Sequence, residues 1–168
     1  MSEYLTPGRF VDSDHPAVID FADKNCTGTT EREKAVSLYY AVRDRIRYNP
    51  FQNFTLDDTY RASACIEQGS GWCVPKAALL AACARAAGIP ARVGYADVRN
   101  HITTPELTAK MGTDLFVFHG YAELLMHRAG RLKPNEIAQM SSEIYAGSQA
   151  LTHLVDDAAA LDAEVLRL

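Results

Sequence analysis

No stretch of this chain approaches the roughly 20 consecutive apolar residues that a membrane helix needs, so a membrane-spanning reading is set aside. Basic residues are not in excess: 17 Lys and Arg stand against 21 Asp and Glu, for a net charge of −4. That balance argues against a nucleic-acid partner, which requires a basic face. None of the four cysteines, Cys26, Cys65, Cys73 and Cys83, forms a C-x-x-C pair, and no histidine stands at finger-like spacing from them. A zinc site is therefore not indicated. Residues 1–8 are mixed and polar, without a basic-then-apolar export signal, so the chain reads as cytoplasmic and free of a disulfide framework. Repeats and low-complexity tracts are absent too. What is present is ordinary globular composition, 48% hydrophobic and 23% charged over 168 residues. That is enough for one domain, residues 1–168, with a real core.

Helix signals come first. Asp14-His15-Pro16 opens a short helical pattern ending near Lys24. Thr29-Thr30 supplies a hydroxyl N-cap ahead of Glu31 and Glu33. Ala35, Leu38, Tyr39, Val42 and Ile46 then recur at helical spacing, which predicts an amphipathic helix over 31–47. Pro50 ends it. A loop follows to about Thr59, then a short helix through Ile66. The clearest helix runs from Trp72 or Cys73 to Ala87. It is filled with alanine and leucine, tolerates Pro75 in its first turn, and is closed by Gly88 and Pro90.

Strand signals follow. Residues 91–99 form one candidate, 115–126 a second, and 129–134 a third. On the second, Val117, His119, Tyr121, Glu123 and Leu125 share one face. Phe116, Phe118, Gly120, Ala122 and Leu124 share the other, which is the better core face. From Asn135 onward the pattern turns helical, with acids early and Arg167 late in the tail. Helices first, strands second and a helix last make the fold class α+β. A central helix packs on an antiparallel sheet, and a C-terminal helix closes the chain.

Cys73 stands where that central helix begins. Unpaired N–H groups and the macrodipole at a helix N-terminus favour negative charge, so the position is expected to lower the thiol pKa. The same N–H groups can hold an oxyanion. Gly71 lets the chain turn sharply and a substrate approach the backbone, and Trp72 either shields the site or packs beneath it. These two are the candidate substrate and oxyanion positions. The plainer reading makes Cys73 a small buried hydrophobe, as Cys26, Cys65 and Cys83 are expected to be. Among the histidines, His119 is the best base, because a strand presents it rigidly. His101 is a weaker candidate.

Three segments in order, "GWC" opening a helix, "ARAAGIPARVGYADVRNH" and "FVFHGYAEL", resemble the transglutaminase-like superfamily, and most closely its small bacterial members of papain-like ancestry. The resemblance is strongest over residues 48–124; 125–168 diverges. It implies Cys73 as nucleophile and His119 as general base and later acid. It also implies a third residue on the next strand that orients the imidazole. The usual tryptophan and aspartate of that strand are missing from "HRAGRLKPNEIAQ", which leaves Asn135, or Glu136, for the role. "RYNPF" near Tyr48 matches the family as well.

The expected function is cysteine-dependent acyl transfer on a peptide or protein amide, through a thioester that water or an amine resolves. Neither a metal nor an organic cofactor is required, and no acidic loop has calcium-binding spacing. The rival reading is a binding or scaffolding module that keeps the fold without turnover. Residues 136–168 offer an apolar helical face for packing on the domain or for pairing with a second copy.

Overall fold

The computed structural model describes residues 2–99, 109, 111–125 and 152–155. Alanine decides its centre. In α4 (Cys73–Ala86) the ten residues Pro75 to Ala84 are all buried. A helix apolar on every side must be enclosed, and small side chains let its neighbours come close. Helices α1 (Pro16–Asn25), α2 (Glu31–Arg45) and α3 (Ala62–Gln68) pack on it, and so do strands β3 (Ala91–Arg99) and β4 (Leu115–Leu125). The core joins Val18 and Ala22 of α1, Leu38 and Val42 of α2, Cys65 of α3, and Ala122 and Leu124 of β4 around Leu79 and Leu80.

Local chemistry sets the helix ends. Thr30 caps α2 by accepting from the Glu33 N–H, and the Glu33 carboxylate accepts in return from the Thr29 and Thr30 N–H groups. Those bonds hold the Glu33 carboxyl down at about 2. Gly88, at φ +81°, closes α4. Its N–H donates to Arg85 O, and the buried Ile89 donates to Ala84 O at 2.8 Å, the double bond of a glycine-closed helix end.

Strand order in the main sheet is β3-β4-β5, with β5 at Thr152–Val155. β3 and β4 are antiparallel, as expected, and β5 runs parallel to β4. Two further short strands, β1 (Arg47–Tyr48) and β2 (Ser70–Gly71), pair in parallel. That pairing takes Arg47 out of the predicted helix: its N–H donates to Gly69 O rather than back into α2.

The α+β class and both principal strands match the sequence reading; the tail does not match throughout. Residues 152–155 were assigned to a helical stretch and instead form β5. A short apolar run does not distinguish the two periods, and the free edge of β4 decides in favour of the strand. The expected helical face over 136–168 is interrupted there, since Leu154 and Val155 lie in β5; the predicted strand at 129–134 and the rest of that face lie outside the described residues. Among the described residues no helix is long and apolar enough to cross a membrane.

One buried charge ties the layers together. Lys76 is fully enclosed in α4, and its ammonium donates to the carbonyls of Ile46 and Arg43 at the end of α2. It therefore satisfies acceptors that the end of α2 leaves open. Burial lowers its pKa to about 8 from 10.5, outweighing the opposing pull of Cys65 and Asp44. Between those two values the unfolded chain holds a proton that the native chain has released, so Lys76 makes stability rise with pH there. Below about 8 the full cost of the buried charge, on the order of 3 kcal/mol, stands. Urea unfolding of the native chain and of Lys76→Met across pH 7 to 10.5 checks this. The native chain should gain on the variant as pH climbs; a constant difference would contradict the account.

Candidate functional site

Cys73 is the first residue of α4, and Trp72 is its N-cap in extended conformation. Three backbone N–H groups, those of Gly120, Val74 and Cys73 itself, favour the anion of this thiol. Two belong to the first turn of α4, and the third comes from β4. A side chain at Gly120 would bring its Cβ within 2.9 Å of Val74 Cα and 3.2 Å of Val74 N. Strand β4 therefore crosses the start of α4 backbone against backbone, and only glycine permits it.

His119 is the residue before Gly120. It is buried, and its partner across the sheet is Ala96. Sulfur and imidazole are thus carried by elements that touch at the adjoining residue. Asn135, Glu136 and His101 lie outside the described residues.

The electrostatics reverse one expectation. The three N–H groups do pull the Cys73 thiol pKa down, but burial is the larger effect, and the net shift is upward. A helix N-terminus alone does not make this thiol an anion. Cys65 and Cys83 behave as the core residues they were expected to be: burial pushes Cys65 up to about 12 and Cys83 higher still. Cys26, half-buried, is raised as well, first by burial.

Gly71 has a packing reason for its identity. A Cβ there would lie 2.7 Å from Cys65 Sγ and 3.1 Å from Pro75 Cγ. Trp72 is buried and stacks edge-on against Phe54 at 4.8 Å and Tyr60 at 5.1 Å, so its ring packs in an aromatic cluster. Tyr48 and Tyr95 also flank the sulfur. The phenol pKa of each is raised first by burial and then by the negative charge Cys73 can carry. Tyr95 escaped the sequence reading. Its only signal is its register opposite Gly120, which needs the fold to be seen.

Two features fix where β4 carries His119. On one face Arg92 donates to the buried Glu123, its direct partner across the sheet, and Tyr121 hydrogen-bonds Glu123 while lying over Gly94. This polar ladder locks the β3–β4 register. Just before His119, Phe118 adopts φ +54° and its N–H donates to Asp97 Oδ1 at 3.1 Å, where the register slips between Ala96 and Val98. Strict alternation along the strand would put Phe118 on the core face. It is instead 75% exposed, because this irregularity breaks the alternation. Among the described residues, no three His, Cys, Asp or Glu side chains are grouped to hold a metal ion.

A cysteine at a buried helix N-terminus, overlaid by a strand bearing a histidine, defines a cysteine-based catalytic fold. The model of the transglutaminase-like superfamily matches residues 20–134, more than half of the chain, and the chain belongs to that superfamily. The match contains Cys73 and His119 and ends one residue before Asn135. A solved structure described as "a Putative Cysteine Protease from Cytophaga hutchinsonii" is similar in fold, with a TM-score of 0.54 at 22% identity. The likeness covers 74% of this chain and 38% of that one, so this chain spans well under half of its length. No curated protein matches the chain.

The Gly120 contact is testable. Gly120→Ala must push β4 from α4, costing about 1–3 kcal/mol as overpacking does. It also withdraws one N–H from the sulfur, so alkylation of Cys73 should need a higher pH. Native stability together with an unmoved alkylation profile would show that the contact is not made.

Proposed function

We propose that the chain is a cysteine-dependent acyl-transfer enzyme acting on amides of peptides or proteins. The observation that carries this is the close approach of Gly120, the residue after His119, to Val74, the residue after Cys73 at the start of α4. Because burial holds the thiol pKa up, the thiolate is made on demand. His119 takes the thiol proton as sulfur attacks the amide carbonyl. Backbone N–H groups at the start of α4 receive the oxyanion of the tetrahedral intermediate. His119 then returns the proton to the leaving amine, and a thioester remains on Cys73. Water resolves it to an acid, or a second amine resolves it to a new amide. Asn135, with Glu136 as the alternative, takes the role of orienting the imidazole, on the strength of the sequence.

A second reading, a binding module that keeps the fold without turnover, is favoured by one observation: burial outweighs the N–H groups at the thiol. The pH dependence of alkylation separates the two. With a working base, Cys73 should react with iodoacetamide well below pH 9.0, the ordinary value of a free thiol. In His119→Ala only the raising effect of burial and the three N–H groups remain, so the reaction should begin above that value. Amide turnover should vanish in Cys73→Ala and fall about a hundred- to ten-thousand-fold in His119→Ala. Equal alkylation profiles with and without His119, and no turnover in either, would leave the binding module.

A further inference from the structure

Aromatic side chains from separate segments gather around Cys73. Trp72 precedes it, and Phe54 and Tyr60 stack edge-on against the Trp72 ring. The cluster is held in place: the Tyr60 hydroxyl donates to Phe54 O at 2.9 Å, and Phe10 backs the Tyr60 ring at 5.9 Å. Tyr48 pairs with Gly71, two residues before the thiol, and Tyr95 pairs with Gly120, whose backbone meets Val74 at the start of α4. The loop aromatics stack on the residue before the thiol, and β3 brings Tyr95 opposite the strand residue that meets the start of α4.

This aromatic wall keeps apolar surface open. Phe54 is 51% exposed and Tyr95 53%. Large apolar side chains left open in a cluster beside a reactive group mark a surface that something apolar covers. Charge does not compete for it. Asp57 is paired with Arg9, and Asp58 with Arg61 at 3.3 Å, so the acids of the loop are already answered.

We infer that this wall selects the acyl donor: the site takes amides whose acyl residue carries an aromatic or large aliphatic side chain beside the reacting carbonyl, held against Phe54 and Tyr95. The inference rests on the acyl-transfer reading and adds the substrate class to it. Specificity comes from burying that side chain against rings already ordered by their own stacking, so little entropy is lost on binding.

Peptidyl chloromethyl ketones test it without requiring turnover, because the thiolate displaces chloride and forms a stable thioether. N-acetyl-phenylalanyl, N-acetyl-aspartyl and N-acetyl-glycyl chloromethyl ketones present the same electrophile with different side chains, and peptide mapping assigns the adduct to Cys73. The phenylalanyl reagent should label roughly tenfold faster than the other two, the scale of discrimination an apolar pocket gives. Tyr95→Ala and Phe54→Ala should bring the ratio of phenylalanyl to glycyl rates down towards one, whatever each does to the glycyl rate itself. Tyr95→Phe should keep it, since the ring rather than the hydroxyl is used. Equal rates for the three reagents on the native chain would overturn the apolar selection and leave the nucleophile intact. No labelling of Cys73 by any of them would overturn the acyl-transfer reading, and this inference with it.

Discussion

The crossing of β4 over the first turn of α4 is the constraint on which the rest depends. It is a contact between backbones, possible because residue 120 has no side chain to intrude on Val74. Through it an N–H of the strand favours the Cys73 anion, and the residue before that N–H is His119. The alanine-rich interior of α4 serves the same end, because small side chains let the sheet approach the helix. The Arg92–Glu123 pair and the Tyr121 hydroxyl fix the register in which that approach happens.

The thiol stands at a balance rather than at an extreme. Three N–H groups favour its anion, and enclosure among Tyr48, Tyr95 and the α4 turn opposes it more strongly. A thiol so placed stays protonated until a base takes its proton. Lys76 shows the same economy three residues further along α4. Its buried ammonium is tolerated because the end of α2 offers carbonyl acceptors, and burial lowers its pKa instead of expelling the side chain.

Local signals made most of this framework legible in the sequence. Thr30 and Glu33 announce the start of α2 because a capping box is written in four consecutive residues. Gly88 and Pro90 announce the end of α4, and the β-rich run at 115–125 announces β4. Cys73 and His119 could be picked out because their positions relative to helix start and strand are themselves sequence features. The parts that could not be read are those that long-range contact decides. The parallel pairing of 47–48 with 70–71, and of β5 with the edge of β4, leaves no periodic trace in either partner. The outward turn of Phe118 depends on the Asp97 carboxylate across the sheet. The identity of Gly71 reflects Cys65 and Pro75, and the raised thiol pKa reflects an enclosure that only the assembled fold supplies.

The central claim is that β4 delivers an imidazole to the sulfur along with its N–H. Nitrogen NMR of the His119 ring, titrated in the native chain and in Cys73→Ala, addresses it most directly. The account predicts that removing the thiol moves both the ring's resonances and its midpoint, because the two groups share a proton. An imidazole that titrates identically with and without the sulfur would contradict it.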